Sequence, residues 1–301
     1  MTSIREQVMI SFPGLGIGEF IVNKVAVKIG PLEIRWYGIL IALGMVLAFL
    51  YAGYRAKQNG VILDDLLDMG LFAVVFGIVG ARLYYVIMEY ETYKTFYDVI
   101  AIWNGGLAIY GGIIGGALAV FCVAKYKAKK GKNISFPLCT DMILPGVMIA
   151  QALGRWGNFC NGEAYGGIVP EGSPLYFLRM GLLSENTIRD FGTKELSYVH
   201  PTFLYESLWN VIGFVLINVF FKKKKFDGEV SLWYVTWYGF GRMLIEGLRT
   251  DSLYVGPIRI SQLIGFLCFV TGASLIVWRR IVIWKREKSA LEIAEKENEN
   301  G

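Results

Sequence analysis

Long apolar runs with few charges recur along this 301-residue chain, and they leave it few ways to fold. A helix crossing a hydrocarbon core roughly 30 Å thick needs about 20 apolar residues, because no water is there to satisfy exposed backbone amides. About seven segments qualify: Tyr37–Tyr54, Met69–Met88, Leu107–Ala124, Pro137–Leu153, Thr202–Phe221, Ser231–Leu248 and Ile260–Trp278. The fourth carries Asp141 and Pro145, and the sixth is interrupted by Arg242 and Glu246. These weakest spans are where a site would be sought. With 54% hydrophobic residues and a mean hydropathy of +0.46, the chain is too apolar for an ordinary soluble domain. The expected fold is an all-α polytopic membrane protein of about seven transmembrane helices.

Positive charge sets the expected orientation. Lys125, Lys127, Lys129, Lys130 and Lys132 fill the third connection, and Lys222 to Lys225 the fifth. Arg279, Arg280, Lys285, Arg286 and Lys288 follow the last span, whereas the second connection, Glu89–Gly106, has only Lys94. By the positive-inside rule the N-terminus is outside and the C-terminus cytoplasmic. The expected layout is an amphipathic outer-surface segment (1–36), a seven-helix transmembrane domain (37–278) and a charged cytoplasmic tail (279–301), solvated or frayed from Glu287. A small external loop subdomain would occupy about 154–201. No cleavable signal sequence is read at the N-terminus. The +5 net charge calls for no nucleic acid partner. The lysine runs could also bind anionic lipid heads, but orientation alone explains them. Cys122, Cys139, Cys160 and Cys268 show no paired spacing and read as structural. No His/Cys cluster suggests a metal, and no cofactor is expected.

The segment Gly154-Arg-Trp-Gly-Asn-Phe-Cys-Asn-Gly-Glu-Ala-Tyr-Gly166 puts an arginine, two amides and a carboxylate at the end of an apolar span. Taking a charge to bilayer depth costs several kcal/mol, with values from about 2.5 upward, so it marks function by default. Arg155 and Asn158 face the same way if the helix continues, and Asn161 and Glu163 follow on a turn punctuated by Gly157, Gly162 and Gly166. A guanidinium fork with amide donors suits a phosphate; the alternative is an interfacial Arg–Glu pair that only caps a helix. Tyr238, Arg242, Glu246 and Arg249 stack on one helix face that must meet the bundle interior or a watery cavity. There the alternative is an Arg242–Glu246 pair that neutralises itself. Trp36 and Tyr37 could be interfacial anchors. Gly105–Gly112 and Gly115–Gly116 read as a helix-packing surface. His200, the single histidine, reads mainly as a loop-ordering residue. Arg82 could pair with Glu89 or reach a lipid head.

Together these segments resemble the prolipoprotein diacylglyceryl transferase family. The Gly154–Gly166 run matches its signature Gly-Arg-x-Gly-Asn-Phe-x-Asn-x-Glu-x-x-Gly, and Tyr238 to Arg249 its Tyr-Gly-x-x-Arg-x-x-x-Glu-x-x-Arg. Ile34-Arg-Trp-Tyr-Gly38, Gly80-Ala-Arg82 and His200-Pro-Thr-Phe-Leu-Tyr-Glu206 are also family-like. The resemblance implies an enzyme of the bacterial cytoplasmic membrane with its site towards the outer face. Its partners would be phosphatidylglycerol, the lipobox cysteine of prolipoprotein signal peptides, and surrounding membrane lipids. The products would be a thioether and glycerol 1-phosphate. Arg155 and Arg242 are then expected to stabilise the departing phosphate. Tyr37, Asn158, Asn161, Glu163, Gly166, His200, Tyr238, Glu246 and Arg249 are expected to shape the substrate site. The chain departs from the family at Tyr110, where many members have a histidine proposed as the base. An ordinary tyrosine, titrating near pH 10, is a poor base at neutral pH, so Tyr110 is expected to act as a hydrogen-bond donor. Two alternatives remain at this level: a transporter or channel for an anionic solute, and a lipid-binding scaffold without activity.

Overall fold

The computed structural model describes residues 6–93, 95–250, 252 and 254–299. Lys94 and the end of the tail therefore lie outside the described residues. The chain divides into two compact units, Met1–Ala48 with Leu144–Gly301, and Phe49–Ile143.

Most of the chain is helical. The helices are α1 (Trp36–Gln58), α2 (Leu63–Met88), α3 (Phe96–Ile100), α4 (Ile109–Lys129), α5 (Phe136–Asn161), α6 (Glu185–Phe191), α7 (Thr202–Phe220), α8 (Glu229–Ile245) and α9 (Ile260–Glu299). Among the described residues, six helices are long and apolar enough to cross a membrane: α1, α2, α4, α5, α7 with its following turn, and α9. The expected sixth span falls on α8, which is shorter at 17 residues and passes into a 3-10 turn over Glu246–Leu248. That tightening falls within the charged stripe, at Glu246, one turn after Arg242. The tail, expected to be solvated or frayed from Glu287, continues α9 to Glu299 with its described side chains exposed.

The all-α expectation needs correction, because eight short strands accompany the helices among the described residues. They are β1 (Gln7–Phe12), β2 (Ile17–Asn23), β3 (Val25–Ile29), β4 (Leu32–Arg35), β5 (Met180–Leu183), β6 (Ser197–Val199), β7 (Tyr254–Val255) and β8 (Ile258–Arg259). An antiparallel sheet runs β2-β1-β5-β6, with Met9 opposite Leu183 and Ile10 opposite Leu182. Val8, Ile10 and Phe12 alternate inward at the two-residue period of a strand and pack with Tyr165, Met180, Leu182, Val199 and Phe203. The segment before the first span thus joins the loop after α5 in one small core.

The second unit is built on α2 and α4. A Cβ added to Gly80 would lie 2.4 Å from the Gly111 carbonyl oxygen, and one on Gly111 would lie 2.2 Å from that of Gly80. Backbones this close can be brought together only by residues without side chains, as expected of helix packing in lipid. Arg82 is buried and reaches neither Glu89 nor solvent. Its guanidinium donates to the carbonyls of Asp98, Val99, Gly105 and Gly106 at 2.6–2.9 Å, which ties α2 to the connection that precedes α4. At the other end of the unit, the Lys127 and Lys132 ammoniums lie 2.8 and 2.6 Å from Asp65, which is 1% exposed. These two lysines, read above for orientation alone, neutralise a buried carboxylate.

Candidate active site

The first unit assembles the site at one end of α5, α7 and α8. The last two turns of the apolar α5 carry Arg155 and Asn158, since the helix does continue to Asn161. Helices α7 and α8 are joined by a reciprocal clasp. Trp209 Nε1 donates to the Trp237 carbonyl at 3.0 Å, Trp237 Nε1 donates to the Trp209 carbonyl at 2.9 Å, and the rings stack 4.2 Å apart. Room for the indoles comes from Gly241 and Gly213, where a Cβ would fall 2.1 and 2.3 Å from the Nε1 atoms of Trp209 and Trp237. Two interhelical hydrogen bonds and a ring stack fix the register of the pair.

Above the clasp sits Glu206 of α7, and three arginines converge on it. Arg155 Nη2 lies 2.5 Å and Arg242 Nη1 3.5 Å from Glu206 Oε2, while Arg249 Nη1 donates to Oε1 at 3.1 Å. Arg242 also pairs with the buried Glu246 at 2.7 Å, one helical turn on. The Glu246 backbone carbonyl in turn accepts from Arg259 Nη1. Among the described residues, the ion pairs of this cluster set three guanidinium groups against two carboxylates, an excess of positive charge. In a setting shielded from bulk water, that excess attracts an anion far more strongly than it would in solution.

The amides of the signature segment link to this cluster. Arg155 Nη1 donates to Asn158 Oδ1 at 3.2 Å, and Asn158 and Asn161 donate to the same Glu163 oxygen at 3.0 and 3.1 Å. Asn161 Oδ1 is buried without a hydrogen-bond partner, as is Gln151 Oε1 one turn before Arg155. Gln151 Nε2 donates to Tyr234, whose ring stacks on Tyr238 at 6.0 Å. Tyr37 lies across α5, since a Cβ on Gly157 would come 2.6 Å from its ring.

Gly166 and His200 form the frame. The Gly166 N–H donates to the His200 carbonyl at 3.0 Å, Gly167 donates to the Leu248 carbonyl at 2.8 Å, and Gly166 bridges Arg249 in an antiparallel pair. A side chain at 166 would strike His200 Cβ at 2.7 Å. His200 itself is buried with Nδ1 3.3 Å from Tyr205 Oη, and burial lowers its pKa below the ordinary value. It thus sits neutral in the frame around the cluster. Thr202 Oγ1 donates to the Ala164 carbonyl at 2.5 Å, and Ala164 holds φ at 55°, a conformation rare without glycine.

The structure thus brings together Arg155, Asn158, Asn161, Glu163, Arg242, Glu246 and Arg249, with Gly166 and His200 behind them. Tyr238 lies on α8 one turn before Arg242, and Tyr37 lies at the start of α1 against Gly157 of α5. Tyr110 belongs to the second unit, in the first turn of α4, with its ring 6.4 Å from that of Tyr84. Glu206, the hub of the cluster, was missed among the site residues expected from sequence. Its signal was available: it is the one acid in the fifth apolar span and it closes the His200–Glu206 motif.

A sequence model described as "prolipoprotein diacylglyceryl transferase" matches residues 24–278. Several relatives carry the name phosphatidylglycerol–prolipoprotein diacylglyceryl transferase. One from Streptococcus mutans is 44% identical over 86% of this chain and 96% of its own length. One from Streptococcus pneumoniae is 43% identical over 92% of this chain and 99% of its own, and one from Streptococcus pyogenes 46% identical over 86% and 96%.

Proposed function

This chain belongs to the prolipoprotein diacylglyceryl transferase family, and we propose that it transfers the diacylglyceryl group of phosphatidylglycerol to a prolipoprotein's lipobox cysteine. A family membership that spans all the clustered residues sets aside the transporter or channel reading, which the intramembrane arginines alone allowed. The observation that carries the mechanism is the convergence of Arg155, Arg242 and Arg249 on Glu206.

The thiolate sulfur attacks the glycerol carbon that bears the phosphate. A C–S bond forms, the C–O bond breaks, and its electrons go to the phosphate oxygen, giving a thioether and glycerol 1-phosphate. The thiol proton leaves before or with the attack, since the thiolate is the nucleophile. Charge on the phosphate grows as the C–O bond breaks, and preorganised guanidiniums aimed at that charge lower the barrier. Arg155 and Arg242 fill this role, with Glu206 holding their planes in place until phosphate competes for them. Asn158, Asn161 and Glu163 form the polar wall beside Arg155, and Tyr37 and Tyr238 contact the glycerol. The orphaned oxygens of Asn161 and Gln151 fit the same reading, because a lipid head rich in hydroxyls can donate to them. Tyr110 acts as a hydrogen-bond donor. Chemistry of this kind fits a bacterial cytoplasmic membrane enzyme whose site opens outward, N-terminus out and C-terminus in, with α8 as a seventh, short span.

Purified protein in detergent, supplied with phosphatidylglycerol and a lipobox peptide, tests the assignment. Thioether peptide and released glycerol phosphate are expected in equal amounts. Lipid binding without product would leave only the scaffold reading.

A further inference from the structure

The lysine-rich end of α7, α8 and α9 holds a cavity that the transfer reaction does not use. It has a volume of about 800 Å³, within the usual size of a ligand site. Its walls are Leu216, Ile217 and Phe220 of α7 and Trp233 and Trp237 of α8. Its rim is Lys222 to Lys225, on the turn that ends α7, with Arg280 of α9. The wall is hydrocarbon and aromatic, and the rim is cationic.

Two carboxylates lie nearby, and both are already engaged. Glu229, fully buried at the start of α8, accepts from Arg280 Nε and from the Lys225 backbone N–H, each at 2.5 Å. Asp227 pairs with Lys224 at 3.0 Å. Lys222, Lys223 and Lys225 are exposed and have no carboxylate partner among the described residues. Orientation alone accounts for lysines in a loop, but not for a concave apolar wall beneath them.

We propose that this cavity binds an anionic phospholipid that is held rather than consumed. Its acyl carbons lie against Leu216, Ile217, Phe220 and the two tryptophans, and its phosphate is ringed by the three unpaired ammoniums. Basic pockets between membrane helices bind anionic lipid heads by this combination. A zwitterionic lipid would fill the wall equally well but gain little at the rim. The lipid would brace α7 against α8 on the side of the Trp209–Trp237 clasp away from Glu206.

A photoreactive phosphatidylserine, which is not the proposed donor, tests this on the delipidated protein in detergent. The readout is the yield of crosslink to the peptide containing Trp233 and Trp237. Phosphatidylserine should label it at low concentration and unlabelled phosphatidylcholine should compete poorly. Combined Lys222→Gln, Lys223→Gln and Lys225→Gln should raise the half-saturating concentration about 100-fold, at roughly 1 kcal/mol for each lysine near an anionic head. Leu216→Trp, which fills the wall and keeps every lysine, should abolish labelling of that peptide. Both changes fall on exposed side chains. Unchanged labelling in either variant, or equal competition by phosphatidylcholine, would overturn the proposal.

Discussion

Glu206 of α7 holds Arg155 of α5 by a 2.5 Å ion pair, joining two helices far apart in sequence within one cluster. Arg242 and Arg249 share the same carboxylate. Among the described residues, removing it leaves Glu246 as the carboxylate paired within this network, and only with Arg242. Breaking a buried pair from one side costs about 3–5 kcal/mol. Glu206→Gln should therefore lower transfer by on the order of 100-fold and raise KM for phosphatidylglycerol. A protein that is merely less heat-stable, with unchanged KM, would argue against this positioning role.

Arg155→Gln and Arg242→Gln should each abolish transfer while the protein still inserts and folds. Lysine at either position should restore only part of the rate, since an ammonium lacks the bidentate fork that matches phosphate oxygens. Near-normal turnover of Arg242→Gln in detergent would refute the clamp.

Tyr110→Phe should slow transfer yet leave a measurable rate, because the arginines supply most of the stabilisation. Tyr110→His should be tolerated. A pH–rate profile decides between roles. A dead Tyr110→Phe, together with an alkaline limb displaced towards neutrality in Tyr110→His, would make residue 110 the base.

The expectations that came from local pattern hold best. Six of the seven expected spans were legible from length and apolarity, and Gly111 and Gly115 were legible as a packing surface from their spacing. The signature segment was legible because an arginine beside amides at a span end is too costly to keep there without a charged partner or ligand. Strand β1 was not, since its six residues pair with β5 beyond α5, and no local period reveals a distant partner. Arg82 resisted for another reason: its partners are backbone carbonyls, which every sequence offers equally. Glu206 was visible as an isolated acid, but nothing in the spacing told that three arginines from other segments would meet it.

Topology follows from the lysine asymmetry. A reporter active only in the cytoplasm should work when fused after Lys288 and fail when inserted between Ser184 and Lys194. The reverse pattern would move the arginine cluster to the other face of the membrane.

His200 should make stability depend on pH. Its folded pKa is lowered by burial, so the unfolded chain binds the proton more readily. Stability is then lost as pH falls through the ordinary histidine value, near 6.5, and regained above it. The thermal midpoint should drop between pH 7.5 and pH 5, and His200→Gln should flatten part of that drop. An identical drop in the variant would assign it to other groups.

The tryptophan clasp has a consequence for how this chain can vary in length. Glu206 lies three residues before Trp209, and Arg242 five after Trp237, so the clasp sets the angular phase of both side chains. Each residue advances a helix by about 100°. Deleting one residue between Trp237 and Arg242 would swing the guanidinium about a quarter turn away from Glu206 and bring its Cβ into the place where Gly241 now makes room for the Trp209 indole. Clasp and charges would be lost together, because Gly241 serves one and spaces the other. What these helices must conserve is the count of residues between the clasp and the charges, while their lipid-facing side chains remain free to drift.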